Sequence, residues 1–364
     1  MRILDRYILN SVLTVFLGCL ATFFFLYIIV DVFAHLDEIL KQQVSLNILA
    51  QYYTSYLPVI FVQVTPIACL LSILHTFSNL NRHNELIAMR SSGLSIFNVI
   101  KTVITFGAVI CVLVFLVNDK MVPQSLSLNQ KIKEQIETGV KKINRNETIE
   151  NLSMYGMKNR LFFVNKFYPY KNTMENIVIL EHDERQNIVK KIVANKGVYE
   201  AGSWKFYQSI TYNFDLNGQI LKEPQYAEEE IMTIPEKPRD FLEQRQQPEL
   251  MTISQLDNYI WRLSKSGAVT AIRNFKVDLY RKFSEPLTSI IIIIMGIPFS
   301  LMIKKRTAGM ASLGIAIMLS FLYYVLSAIG VALGKGGILT PVLAVSLSHI
   351  IVLSFSLYLI RNLP

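Results

Sequence analysis

Six long apolar segments alternate with shorter polar loops, and one long polar stretch separates the third segment from the fourth. A helix needs about 20 mostly apolar residues to cross a bilayer core of about 30 Å, and each segment is close to or above that length. The segments cover residues 9–30, 53–77, 94–117, 286–303, 309–333 and 338–360. This pattern predicts a membrane α-helical bundle of six transmembrane helices, three before and three after the polar stretch.

The polar stretch contains short runs rich in β-branched and aromatic residues, separated by Asn, Gly, Asp and Pro. Such a pattern is typical of β-strands joined by turns. The runs cover residues 161–164, 177–180, 188–193, 204–207 and 210–214. Their regular spacing predicts an inserted all-β domain, either an antiparallel sandwich or a jelly roll.

Three further segments flank the predicted strands. Residues 124–138 indicate a helix that continues out of the membrane, and residues 236–248 form a tether rich in proline and charge. Ser254 is placed to cap an amphipathic helix before the fourth span. The predicted organisation is residues 1–118 for the first three spans, 119–275 for the β-jelly-roll domain with its flanking helices, and 276–364 for the last three spans.

Composition supports a membrane protein and argues against a nucleic-acid binder. Hydrophobic side chains make up 52% of the 364 residues and charged ones only 17%, which is too apolar for an ordinary soluble enzyme. The excess of basic residues behind the net charge of +9 lies beside the apolar segments rather than clustered in the polar domain. All three cysteines lie within apolar runs, so we expect the polar domain to fold without disulfides.

The distribution of lysine and arginine predicts the orientation. Arg82, Arg90, residues 304–306 and Arg361 all fall on one side of the predicted spans, whereas the opposite short loops are acidic or nearly uncharged. Because basic residues in short loops stay in the cytoplasm, we expect both termini inside and the β domain outside the cytoplasm.

The loop between the second and third spans is the most informative short stretch. Asn84 can cap a helix there, Glu85 lies in its first turn, Leu86 and Met89 share one face, and Gly93 can end it in a left-handed conformation. The prediction is a short amphipathic helix over about residues 82–93. Two interpretations stay open: a connecting turn that packs on its own bundle, or a coupling helix that fits a groove on a soluble partner.

Several motifs resemble the lipopolysaccharide-export permease family of the LptF and LptG type. They are Asp-Arg-Tyr-Ile at positions 5–8, Glu-Leu-Ile-Ala-Met-Arg-Ser-Ser-Gly-Leu-Ser at 85–95, Arg-Lys-Phe-Ser-Glu-Pro-Leu at 281–287, Tyr-Tyr at 323–324 and Gly-Lys-Gly-Gly-Ile-Leu-Thr-Pro at 334–341. The loop motif is the most specific of them, and the first tetrapeptide leans towards the G-type subunit. The outer domain is similar to the family in size and strand character more than by motif.

The resemblance implies a subunit of a transporter in the bacterial inner membrane. In the family, an F and a G permease pair on a dimer of a cytoplasmic ABC ATPase, which binds ATP and magnesium. Together they extract lipopolysaccharide from the membrane and pass it, with a single-span LptC-like protein, to a periplasmic bridge of jelly-roll domains. The loop helix couples the ATPase to the bundle, and the positions here that match it are Glu85, Leu86, Met89, Arg90 and Gly93.

The resemblance also implies a lateral gate between the first and fifth helices. Phe24, Ile28 and Tyr323 are then candidates for contact with lipid, and Lys41 for contact with its headgroup. One feature departs from the family: the outer end of the first helix, residues 31–41, is acidic except for Lys41, where the family usually carries lysines suited to phosphate. Three explanations stay open: the partner subunit binds the lipid phosphates, a divalent cation bridges them to the carboxylates, or the substrate carries fewer phosphates than usual.

The chain itself carries no phosphate-loop, nucleophile-elbow or zinc motif, so we expect a subunit without catalytic activity and without a bound cofactor or metal. His75 and His349 fall within predicted spans, where a neutral, hydrogen-bonded histidine is the expected state. Two other classes stay open: another ABC-type export permease, for lipoprotein release or efflux, and a non-transporting membrane sensor or scaffold. The three-plus-three division and the loop motif argue against the former, and the lack of a long cytoplasmic stretch argues against the latter.

Overall fold

The computed structural model describes residues 3–93, 96–138, 148–157, 159–183, 187–200, 202–215, 218–221, 223–232, 234–243, 248–264, 269–302 and 308–361. The chain forms two compact units, one of residues 1–139 with 276–364 and the other of residues 140–275. The helices are α1 Ile3–Ala34, α2 Leu36–Lys41, α3 Leu46–Arg82, α4 Glu85–Ser91, α5 Ile96–Leu116, α6 Val122–Thr138, α7 Pro238–Glu243, α8 Ile253–Ser264, α9 Val269–Met302, α10 Ala308–Lys335 and α11 Pro341–Arg361. The strands are β1 Ile149–Gly156, β2 Arg160–Tyr168, β3 Thr173–His182, β4 Ile188–Glu200, β5 Ser203–Asn213 and β6 Gln225–Met232.

The first unit contains the candidate membrane helices. Within the described ranges, six helical stretches are long and apolar enough to cross a bilayer, and they coincide with the six segments predicted from the sequence. The predicted six-span bundle is therefore confirmed. A single turn of π-helix, Val117–Met121, joins α5 to α6, so that the third stretch continues well past its apolar part.

Small residues let the spans of this unit approach one another closely. A Cβ atom added at Gly330 or Gly334 would overlap Ala344, which shows that α10 and α11 pack almost backbone to backbone. The two glycines lie four residues apart, the spacing by which small residues allow close helix packing in membranes. The last two spans thus form a tightly packed hairpin.

Helix α6 packs with the first unit because it lies along α3. Its Asn129 side chain donates a hydrogen bond of 3.3 Å to the carbonyl oxygen of Tyr52. In the preceding π-helical turn, the buried amide of Asn118 donates to the carboxylate of Glu285 on α9 at 3.4 Å. The predicted division after residue 118 assigned α6 to the central domain, whereas the packing divides the chain after residue 139.

The second unit is built on one antiparallel sheet of six strands that pair in chain order, β1 to β6. The predicted inserted all-β domain is confirmed, and its described strands form one sheet rather than the two packed sheets of a sandwich. Strands β2, β3 and β4 contain predicted runs, and the two runs at 204–207 and 210–214 are one continuous strand, β5. Strands β1 and β6, at the two edges of the sheet, were not predicted.

One face of the sheet is apolar and is partly covered by residues 234–243, here called the strap. Phe241 of α7 is buried among Phe162, Phe167 and Trp204, with ring centroids 5.5 to 5.8 Å from its own. Because a sheet must bury its apolar face against a second layer, the strap supplies part of that layer. The segment predicted as a tether thus contains a helix that contributes Phe241 to the core.

Candidate functional site

The short helix α4 lies between α3 and α5, as the loop motif predicted. Its first residue, Glu85, follows Asn84, which adopts a left-handed backbone with φ of +61° and whose carbonyl accepts the amide of Ala88 at 2.9 Å. Gly93 has φ of +81°, the left-handed conformation expected after the end of this helix. The turn residues on both sides therefore set the length of α4.

The two apolar residues predicted to share a face of α4 both point into the bundle. Leu86 is buried in one apolar cluster with Ile8, Val12 and Phe77, and Met89 packs against that cluster. The large apolar side chain that α4 exposes is Ile87, at 52% exposure. The interpretation in which α4 packs on its own bundle is thus correct for Leu86 and Met89, while Ile87 remains accessible to a partner.

Two hydrogen bonds join the beginning of α1 to this region. The hydroxyl group of Tyr7 donates to the carboxylate of Glu85 at 2.9 Å. The hydroxyl group of Thr102 on α5 donates to the carboxylate of Asp5 at 3.0 Å. Both α1 residues belong to the tetrapeptide at positions 5–8, which resembles the permease family but for which the sequence alone predicts no contact. The side chain of Arg90 lies outside the described residues.

The C-terminal end of α1 carries an acidic group that is turned towards α3. The carboxylate of Asp31 accepts a hydrogen bond of 2.9 Å from the hydroxyl group of Tyr53, and Nδ1 of His35 lies 3.0 Å from the Asp31 carbonyl oxygen. The Asp31 side chain is only 20% exposed. This carboxylate is thus engaged within the bundle by a hydrogen bond to α3. Lys41, the last residue of α2, is exposed.

The three apolar candidates for the gate occupy different environments. Phe24 and Ile28 on α1 are partly exposed, next to the more exposed Phe25 at 69% and Ile29 at 53%. Tyr323 on α10 is 1% exposed and packs among α3, α9 and α11. Its direct contact with lipid stays a prediction, since in this conformation its neighbours cover it.

The hydroxyl group of Tyr323 belongs to a polar cluster that joins three spans. It lies 2.8 Å from the Thr288 hydroxyl on α9 and 3.3 Å from Nδ1 of His349 on α11. Nε2 of His349 lies 2.8 Å from the hydroxyl of Ser284, and Ser348 lies 3.1 Å from Nδ1. Both ring nitrogens of His349 thus have partners, as expected for a histidine inside a bundle, whereas His75 is exposed.

Across the described part of the chain, no group of three or more His, Cys, Asp or Glu side chains is arranged to hold a metal ion. The features that stand out are a short helix with one buried and one exposed face, its tie to the first span, and exposed apolar surfaces on α1 and α10.

Comparison with known proteins identifies the same family as the motifs. The family model described as lipopolysaccharide export system permease LptF/LptG matches residues 6–362, nearly the whole chain. Among curated proteins, the lipopolysaccharide export system permease protein LptG of Haemophilus influenzae is 22% identical over 268 residues. That alignment covers 72% of this chain and 72% of the relative.

Proposed function

The chain belongs to the lipopolysaccharide export system permease LptF/LptG family, and on this premise we propose that it is the membrane subunit of an ATP-driven lipopolysaccharide extractor. In this proposal the subunit pairs with a sister permease on a dimer of a cytoplasmic ABC ATPase. The ATPase binds and hydrolyses ATP with magnesium, and this chain catalyses no reaction. Lipopolysaccharide leaves the membrane through the subunits and passes, with a single-span LptC-like protein, to a periplasmic bridge of jelly-roll domains.

The observation that carries the proposal is the two-sided helix α4. Its buried side, Leu86 and Met89, fastens it to the bundle, and its exposed Ile87 offers an apolar contact. A helix of this kind between two spans suits recognition by a groove on a soluble partner. We assign Glu85, Leu86, Met89, Arg90 and Gly93 to this coupling element, and we add Ile87 as the residue that contacts the ATPase.

The proposed orientation places α4 on the cytoplasmic side and the β domain in the periplasm. Arg82 ends α3 beside α4, and Arg361 ends α11. Support for this orientation comes from the preference of basic residues near span ends for the cytoplasm. Residues 304–306, which support the same orientation from the sequence, lie outside the described residues. In this orientation the β domain lies in the periplasm, which is the compartment where the bridge assembles.

The proposed path of the lipid runs along the exposed apolar surfaces of α1 and α10. Phe24, Ile28 and their neighbours supply this surface on α1, and Ile317 and Phe321 supply it on α10, at 60% and 70% exposure. Lys41 is the proposed headgroup contact on α2. Tyr323 supports the α10 side of the gate from within, through its hydrogen bond to Thr288.

The function is tested by purification of the chain with its partners and by transfer assays in vesicles. The complex is expected to contain an ATPase and a sister permease, and to release lipopolysaccharide from proteoliposomes to a soluble acceptor only with ATP. Association without transport of lipopolysaccharide, or transport of lipoprotein instead, would indicate another export permease. A chain that purifies without an ATPase would contradict the proposal.

Substitution of Ile87 tests the contact surface directly. Because an exposed apolar anchor contributes to binding only when it is buried by a partner, Ile87→Asp is expected to weaken association with the ATPase by about tenfold or more. Ile220→Asp is the matched control, since Ile220 in the other unit is exposed to a similar extent, 54%. Equal ATPase binding by the two variants, measured by co-purification and titration, would show that α4 does not contact the ATPase through Ile87.

A further inference from the structure

We propose that Tyr7 is a positioning residue that fastens the coupling helix α4 to α1, so that movement of α4 reaches the first span directly. This inference rests on the proposed function, because it specifies how the coupling element acts. It differs from a contact with the ATPase itself: Tyr7 acts through Glu85 and within this chain.

The contact is a hydrogen bond between residues far apart in the chain. The hydroxyl group of Tyr7 donates to Oε2 of Glu85 at 2.9 Å, and the two residues are separated by 78 positions. Tyr7 lies in the second turn of α1, and Glu85 is the first residue of α4. A tyrosine hydroxyl bonded to a carboxylate is a charge-assisted hydrogen bond, which is stronger than one between neutral groups.

Apolar packing supports this bond from the side of the bundle. Leu86, the neighbour of Glu85, lies in the same buried cluster as Ile8, the neighbour of Tyr7. The bond between Thr102 and Asp5 fixes the same end of α1 to α5. The beginning of α1 is thus attached both to α4 and to the helix that follows α4, and a displacement of α4 acts on α1 at this point.

The helices differ in how well they can carry such a displacement. Helix α3 is joined to α4 by the chain itself, but it contains Pro58 and Pro66, and proline removes a helical hydrogen bond and favours bending. Helix α1 runs from Ile3 to Ala34 without a proline. The contact through Tyr7 therefore links α4 to the more continuous helix, whose outer half carries the exposed apolar residues assigned to the gate.

The test replaces Tyr7 by phenylalanine, which keeps the ring and removes only the hydroxyl group. The readout is the number of lipopolysaccharide molecules transferred per ATP hydrolysed by the complex in proteoliposomes, which does not depend on how much complex assembles. Tyr7→Phe is expected to leave ATPase binding unchanged and to lower this ratio by about three- to tenfold, the factor that corresponds to one lost hydrogen bond.

Tyr358→Phe is the matched control. Tyr358 lies near the end of α11 and is 64% exposed, and its hydroxyl makes no hydrogen bond within the residues that the structure describes. This variant is expected to transfer lipid as the unmodified chain does. A Tyr7→Phe complex with an unchanged transfer ratio would overturn the inference.

The same substitution in a Glu85→Ala chain distinguishes loss of the bond to Glu85 from a general effect of changing position 7. In a Glu85→Ala chain the bond is already absent, so Tyr7→Phe is expected to cause no additional loss. An equal loss with and without Glu85 would show that Tyr7 does not act through that carboxylate. If the unmodified complex neither binds an ATPase nor transfers lipopolysaccharide, the proposed function itself has failed, which is a different result from unchanged coupling in Tyr7→Phe.

Discussion

At the scale of single residues, Glu236 shows how the strap is held on the β-sheet. Its carboxylate accepts a hydrogen bond from the backbone amide of Met157, and its carbonyl oxygen accepts one of 2.8 Å from the indole of Trp204. The residue is only 4% exposed, and its second carboxylate oxygen, Oε2, has no partner among the described atoms. Burial raises the pKa of the Glu236 carboxyl group, because the charged form loses its hydration.

The raised pKa of Glu236 predicts a pH dependence of stability. Between the unfolded and the folded pKa the native state holds more protons, so this group's contribution to stability falls as pH rises through the folded pKa. Glu236→Gln, which does not titrate, is expected to flatten the decline above about pH 4.5. Thermal unfolding in detergent, followed by the fluorescence of buried Trp204, measures the slope. Identical slopes in the two proteins would contradict this origin.

Predictions for single residues were limited because the sequence does not show which distant residues become neighbours in the fold. The spacing of Leu86 and Met89 correctly predicted that they share a face of α4, and the φ of Gly93 is as expected. Periodicity cannot say whether that face is covered by the chain itself or by a partner, so Ile87 was missed. The tie between Tyr7 and Glu85 joins two distant segments, and no local pattern indicates such a pair.

At the scale of elements, the sequence predicted the central strands of the sheet but not the two edge strands, β1 and β6, and the difference has physical reasons. The two predicted runs 204–207 and 210–214 leave out the polar residues Gln208 and Ser209, which lie within the continuous strand β5. Gln208 takes a left-handed backbone there, and Ser209 donates to Glu230 on β6. Strand β6 is rich in glutamate, which disfavours strands on average. As an edge strand it exposes these charges, and Glu229 pairs with Lys205 at 2.6 Å.

The cap of α8 illustrates a smaller error of the same kind. Ser254 was predicted to cap this helix, but Ser254 lies within it. Thr252 is the cap: its hydroxyl accepts the amide of Gln255, and the Gln255 side chain accepts the amide of Thr252. This reciprocal pair is a capping box, and the spacing of Thr252 and Gln255 in the sequence was sufficient to indicate it.

The hairpin of α10 and α11 gives a prediction at this scale. A methyl group at Gly330 would overlap the backbone carbonyl of Ala344, which no side-chain rotation can relieve. Gly330→Ala is therefore expected to destabilise the bundle by about 1–3 kcal/mol, the usual cost of overpacking. Thermal unfolding in detergent measures this change.

Gly314→Ala on the same helix is the matched control for Gly330→Ala. No atom lies within 4 Å of a Cβ built at Gly314. Alanine there is expected to be neutral or to stabilise α10 slightly, since alanine favours the helix more than glycine does. Equal destabilisation by both substitutions would indicate a general sensitivity of α10 rather than close packing on α11.

At the scale of the whole molecule, the sequence predicted the architecture well because it depends on long-range averages of polarity. The six apolar segments and the inserted β domain were identified from length and composition, and both are present. The boundary between the units depends on specific packing, that of α6 along α3, and composition placed it earlier. Orientation is decided by charge in the loops, which the fold alone does not reveal.

Site-directed labelling tests the orientation. Single cysteines at positions 87 and 226 are introduced into a chain whose native Cys19, Cys69 and Cys111 are replaced by alanine. Tyr226 on β6 is 65% exposed and Ile87 on α4 is 52% exposed, so both positions accept a reagent when the chain is produced without the ATPase that is proposed to cover Ile87. Because Arg82 and Arg361 favour the cytoplasmic side, a membrane-impermeant maleimide added to spheroplasts is expected to label position 226 at once and position 87 only after permeabilisation. Labelling of position 87 in intact spheroplasts, with position 226 protected, would reverse the topology and place α4 where no cytoplasmic ATPase can reach it.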